Sequence, residues 1–229
     1  MTNNRGAIKL NKVQVLATMF EGNIDGAAVA SFDVNGPTGE MVLGVDHQSK
    51  NDLTSNSIFR VASLSKPVFA YLVLKLIADN QSGKALSGLG QFNLPKGEQF
   101  DLKKTPLHKI CPGFLSKFSQ DDDTQDQAKK LTAWHVLSHT TGLPIKQQEG
   151  ELLKFQFEPG TEYGYSNSGI ALLQETIDKV TGSNLQALAK SNVFTPLGMT
   201  NTNFLPPEYL SSAKLNDASL AQIQATNSV

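Results

Sequence analysis

The sequence predicts a mixed α/β (α+β) protein in which a helix and a β-hairpin lead into a mostly helical remainder. Three patterns carry that expectation. Residues 27–34 and 40–45 read as two short strands around a cluster of turn residues. Residues 63–78 are apolar on nearly every side, as a buried helix is. Ile170, Leu173, Ile177 and Val180 fall on one helical stripe that Gly182 closes.

Along the chain, residues 10–20 place Leu10, Val13, Leu16 and Phe20 at amphipathic helical spacing. Ala27 to Val34 is then a strand, Asn35-Gly36-Pro37-Thr38-Gly39 a loop, and Glu40 to Val45 a second strand with Met41, Leu43 and Val45 on one face. The helix after Ser63 must start close to that residue, because Pro67 is tolerated only in a first turn. Residues 80–105 and 119–130 are polar and predict surface loops. Thr132 predicts the N-cap of a short helix that Gly142 and Pro144 stop. Further helices are predicted over 168–181 and 184–192, and the tail beyond Phe204 is weakly patterned. With no repeat and no linker, the chain reads as one domain over 1–229, with a helix and hairpin at 10–47 and a helical lobe at 58–204.

Composition narrows the function. Hydrophobic residues make up 39% of the 229, charged residues 18%, and the formal net charge is −1, with no long basic block. That balance argues against nucleic-acid or anionic-membrane binding and suits a small substrate of little charge. No segment reaches the length of a membrane span. The first residues lack an apolar stretch of signal-peptide length, which implies a cytoplasmic chain, although one trimmed of an export signal would read the same. The single cysteine, Cys111, reads as structural. His47, His108 and His135 lack metal-ligand spacing, so neither a metal nor a cofactor is expected. Asp121, Asp122 and Asp123 read as a solvated loop, and Trp134 as packing.

Ser63-Leu64-Ser65-Lys66 carries chemistry. Residues three apart share a helix face, so the Lys66 amine can reach the Ser63 hydroxyl, and a serine needs such a partner to act as a nucleophile. The N–H groups at the helix start would stabilise negative charge on an attacked acyl oxygen.

The surroundings of that element are similar to a known family. Phe59-Arg60-Val61-Ala62-Ser63-Leu64-Ser65-Lys66 resembles the nucleophile segment of class C β-lactamases, family VIII esterases and D,D-peptidase-like proteins. Leu137-Ser138-His139-Thr140-Thr141-Gly142-Leu143, Tyr165-Ser166-Asn167 and Phe194-Thr195-Pro196-Leu197-Gly198-Met199 resemble three further family segments, in the family's order. The resemblance covers about residues 22–204 and implies the β-lactamase/transpeptidase-like fold, a helical lobe packed on an antiparallel sheet. It implies Ser63 as acylated nucleophile, Lys66 as its partner, Tyr165 as general base or proton shuttle, and Asn167 as a substrate-binding donor that also holds Lys66. Tyr163 is not the family tyrosine, because the residue two beyond it is Tyr165 rather than asparagine. His139 and Gly142 are expected to be structural.

The family's third element, K-T-G or H-x-G on a strand, has no counterpart here. Lys179-Val180-Thr181-Gly182 is one residue too long and ends a helical stripe, so it reads as a C-cap. The resemblance therefore implies that the family's C-terminal strands are missing and that a hairpin edge is open to self-association. Two functions follow: a serine hydrolase acting on ester, amide or β-lactam substrates, or an impaired relative with at most a binding role.

Overall fold

The computed structural model describes residues 11–47, 49–83, 94 and 98–204. Most of the loop expected at 80–105, and the tail beyond Phe204, lie outside the described residues. The chain divides into two compact units, one ending at Phe59 and one beginning at Arg60.

The first unit contains helix α1 (Lys12–Glu21) and the strands β1 (Gly26–Asp33) and β2 (Gly36–Gly44). Asn11 caps α1, its side chain accepting the N–H groups of Val13 and Gln14. The strands pair antiparallel from Gly26 opposite Gly44 to Asp33 opposite Gly36, with an irregularity between Ser31 and Phe32. The expected five-residue loop is thus a two-residue turn at Val34 and Asn35, and Gly36 to Gly39 continue the ladder. Pro37 is tolerated there beside the irregularity, where the ladder is already broken. Gly44 has φ 82°, and a Cβ on it would stand 2.0 Å from the Asp25 carbonyl oxygen, so only glycine fits. Among the described hydrophobic residues of this unit only Met19 and Leu43 are buried, and Phe20, Phe32 and Val34 are exposed.

The second unit holds the core. Its helices are α2 (Ser65–Gln81), α3 (Leu107–Ile110), α4 (Asp122–Lys130), α5 (Ala133–Leu137), α6 (Asn167–Thr181) and α7 (Leu185–Ala189). A π turn at Lys190–Phe194 follows α7. Phe69, Leu72, Val73, Leu76 and Ile77 of α2 join Ile170, Leu173, Ile177 and Val180 of α6, Leu188 of α7 and Phe194 in one hydrophobic cluster. Fully burying one such side chain stabilises by roughly 1.5–3 kcal/mol. Gly182 ends α6 in the left-handed region, as its position predicts.

Three expectations change. The helix at 63–78 is not buried all round: Leu64, Tyr71 and Leu74 are exposed, at 70%, 49% and 45%, because α7 and the π turn pack on one face of α2. Of the polar stretch 119–130, Asp122–Lys130 is a helix rather than a loop. Asp121 caps α4 by accepting the Thr124 N–H at 2.9 Å, its acids lie in the first turn and its lysines in the last. Both placements suit the helix dipole, and Thr124 and Ala128 give the helix a narrow buried edge. Trp134 is 43% exposed, and Lys103 Nζ lies 4.2 Å from its ring centroid.

Candidate active site

The nucleophile segment is shaped by one unusual backbone residue. Ala62 has φ 43°, a region that residues with side chains rarely adopt. Ser65 Oγ donates to the Ala62 carbonyl at 2.6 Å, and the Leu64 N–H donates to the Val61 carbonyl at 2.9 Å. Ser63 consequently sits in a single 3₁₀ turn, Ala62–Leu64, and α2 begins two residues later than its sequence suggests. The change does not separate the pair, since α2 follows the turn directly and keeps Lys66, three residues on, on the side of Ser63. Lys66 Nζ donates to Ser63 Oγ at 3.1 Å. Lys66 is 8% exposed and Ser63 is exposed, so a buried ammonium underlies an accessible hydroxyl.

Tyr165 comes to the same atom from more than a hundred residues along the chain. Its hydroxyl lies 2.8 Å from Ser63 Oγ, and Lys66 Nζ is 4.9 Å from its ring centroid. Partial burial pushes the phenol's pKa up. Hydrogen bonds with Lys66 and Ser63, together with the charge of Lys66, outweigh it, and the net shift is downward. A phenol whose pKa is lowered beside a hydroxyl is equipped to take that hydroxyl's proton.

Asn167, the fourth sequence-derived residue, is the first residue of α6. Its backbone N–H donates to the Ile145 carbonyl at 2.9 Å, while its Oδ1 is buried with no hydrogen-bond partner. The structure therefore brings Ser63, Lys66 and Tyr165 together and leaves the Asn167 oxygen off that network. Ser166 anchors the segment between Tyr165 and Asn167. Its Oγ donates to the Pro144 carbonyl at 2.8 Å and accepts the Gly169 N–H at 2.9 Å.

A family model described as Beta-lactamase matches residues 13–219. The chain belongs to the beta-lactamase family. Penicillin-binding protein 4 of Amycolatopsis lactamdurans is 26% identical over 210 residues, an overlap that takes in 85% of this chain and 48% of that protein. Esterase EstB of Burkholderia gladioli is 24% identical over 191 residues, covering 71% of this chain and 42% of the esterase. The chain thus spans about half, or less, of the curated relatives it matches. A crystal structure of a beta-lactamase/D-alanine carboxypeptidase from Yersinia pestis, complexed with citrate, superposes with a TM-score of 0.59 at 21% identity. That overlap covers 84% of this chain and 55% of the other, and the shared fold is the β-lactamase/transpeptidase-like one.

In this beta-lactamase-family chain the K-x-T-G stretch belongs to α6. Lys179 pairs with Glu175 Oε1 at 2.8 Å, and Thr181 ends the helix ahead of Gly182. Cavities of about 250 Å³ along α6 and about 550 Å³ at residues 144–156 do not include Ser63, Lys66 or Tyr165, whereas a small void of about 10 Å³ between α2, α6 and Phe204 is lined in part by Lys66. Among the described residues no cluster of His, Cys, Asp and Glu could hold a metal, and no helix is long and apolar enough to cross a membrane.

One residue of the site was not assigned a part in it by sequence reasoning. The His139 ring stacks on Tyr165 with centroids 4.6 Å apart and planes at 29°. The family-like segment Ser138 to Leu143 marks the position but carries no signal that the ring meets a tyrosine 26 residues further on.

Proposed function

We propose that this site transfers an acyl group to water through a Ser63 acyl-enzyme. The observation that supports the reading is the convergence of Lys66 Nζ and the Tyr165 hydroxyl on one oxygen, at 3.1 and 2.8 Å. Tyr165, as phenolate, takes the Ser63 proton while Lys66 holds both oxygens. Ser63 Oγ then bonds to the acyl carbon, and the leaving group departs with the proton that Tyr165 returns. Water repeats the sequence, breaking the Ser63 ester and releasing the acid. The Ser63 backbone N–H would be one oxyanion donor, and the Asn167 side chain, whose Oδ1 has no partner, would meet substrate. The substrate class is an ester, amide or β-lactam of modest size.

One observation favours a second reading, in which Ser63 acylates but turns over poorly. Lys179 to Gly182 close α6, so among the described residues no strand supplies a second cation or a second oxyanion N–H. Losing one oxyanion donor costs ~10²–10³ in turnover.

The two readings separate in one experiment. A fluorophosphonate and a fluorescent penicillin are expected to label the chain at Ser63, and Ser63→Ala to abolish labelling. Label retained in Ser63→Ala would overturn both. With p-nitrophenyl acetate, a burst followed by steady turnover supports the hydrolase, and a burst without turnover supports the impaired form.

A further inference from the structure

The acyl-transfer reading leaves His139 without a task, yet the residue grips the segment that carries Tyr165 at three successive positions. Its carbonyl accepts the Gly164 N–H at 2.8 Å. Its ring stacks on Tyr165. Its Nδ1 accepts the Ser166 N–H at 3.2 Å. Tyr163 adds an edge-on contact, with centroids 6.1 Å apart and planes at 78°. The grip is built on a disfavoured backbone, φ 55°, so the surrounding contacts must hold this conformation in place.

The Nδ1 contact sets the chemistry. An imidazole nitrogen accepts only when it carries no proton, so His139 is neutral with its proton on Nε2. A second proton on the ring would turn Nδ1 into a donor facing the Ser166 N–H. The titratable groups around the ring are Lys66 of α2 and the phenols of Tyr163 and Tyr165. His135 is turned elsewhere, its Nδ1 accepting the Thr132 N–H at 3.1 Å. Burial first, and the Lys66 charge second, hold the His139 pKa below its ordinary value.

We infer that His139 is a positioning residue, a neutral-imidazole clamp that sets Tyr165 against Ser63 and opens when the ring is protonated. Its effect on rate rests on the acyl-transfer reading; the clamp itself rests on geometry alone. The same Nδ1 that fixes the tautomer makes the site sensitive to acid.

The test uses the full chain labelled with ¹³Cζ-tyrosine, titrated over about pH 5 to 9, with Tyr165→Phe to assign the resonance. The informative variant is His139→Asn. Asparagine tolerates the left-handed region, and its Oδ1 stands where Nδ1 stood, so it can accept the Ser166 N–H without titrating. The Tyr165 resonance is expected to shift in a step below the ordinary histidine pKa of about 6.5, and the step to vanish in His139→Asn. Phosphonylation of Ser63 by the fluorophosphonate, which forms an O–P bond and expels fluoride, should fall through the same step in the unmodified chain and lose that step in the variant. A residue that only stabilised the loop would change the melting temperature without removing the step. The inference is overturned by a Tyr165 resonance that shows no such step, or by a step that survives in His139→Asn. A chain that does not acylate at all would sink the acyl-transfer reading, and the resonance would still decide the clamp.

Discussion

At Ser63 Oγ a lysine amine and a phenol meet, and the acyl-transfer proposal gives the first the task of easing loss of the serine proton and the second that of receiving it. Each is expected to matter through the chemistry rather than the fold. Lys66→Ala and Tyr165→Phe should each slow acylation by ~10²–10⁴, read as the rate of fluorophosphonate labelling, with little change in the thermal transition. The pH dependence has a definite sign. Because the Tyr165 pKa lies below the ordinary phenol value, its basic form grows as pH rises, so acylation should rise with pH along a curve whose midpoint lies below the ordinary phenol value of about 10. This upper rise belongs to Tyr165 and should persist in His139→Asn, whereas Tyr165→Phe should lack it. An unchanged upper rise in Tyr165→Phe would remove the tyrosine from the role of base.

Among the elements, two glycines with similar dihedrals separate backbone preference from crowding. Gly142 (φ 76°) would place a Cβ 2.0 Å from the Phe157 carbonyl oxygen, whereas a Cβ on Gly182 (φ 66°) meets nothing within 4 Å. Gly182→Ala should cost about 1–2 kcal/mol, the left-handed penalty alone. Gly142→Ala must also displace backbone and should cost more, measured as the shift in urea midpoint. Equal costs would mean that the 142 and 157 segments yield freely. Helix α6 carries a second test. Burial, aided by the charge of Glu175, raises the Asp178 pKa to about 6 against hydrogen bonds from Gln174 and Leu185. The unfolded chain has the ordinary lower value, so between the two the folded state binds the proton more tightly. Asp178 therefore favours folding most below the unfolded pKa, and that contribution is lost as pH rises through about 6. Asp178→Asn should raise the melting temperature at neutral pH and flatten its fall between about pH 4 and 7. A variant less stable than the parent at pH 7 would contradict the assignment.

For the molecule as a whole, the two units are built with unequal resources. The unit from Arg60 owns the large hydrophobic cluster, while the described part of the other has a two-stranded sheet and buries only Met19 of α1 and Leu43 of β2 among its hydrophobic residues. Two strands alone are marginal in water, and local stability follows buried apolar contact. Amide hydrogen exchange in residues 26–44 should accordingly outpace that of Leu72 to Ile77 and Leu172 to Ile177 by orders of magnitude. Equal protection would show that the hairpin draws cover from elsewhere.

What the sequence determined by itself is local or periodic. The stripe of α6 and its Gly182 stop, the Thr132 cap, and the i, i+3 relation of Ser63 and Lys66 all depend on neighbours within about one turn, so the pattern is present in the string. The polar helix α4 was missed because a chain with so little buried edge looks like a loop, although Asp121 and the order of its charges did mark its ends. The hairpin turn was misjudged because glycine and proline signal a break, whereas here Gly36 and Pro37 continue a strand. The family resemblance already pointed to Tyr165 as the partner of Ser63, but only the tertiary structure put its hydroxyl 2.8 Å from Ser63 Oγ, left the Asn167 oxygen unpartnered and stacked His139 on the tyrosine. Those relations join positions distant in the chain, and packing between elements sets them. No spacing rule reports which of several rings or amides a folded core will turn toward one hydroxyl.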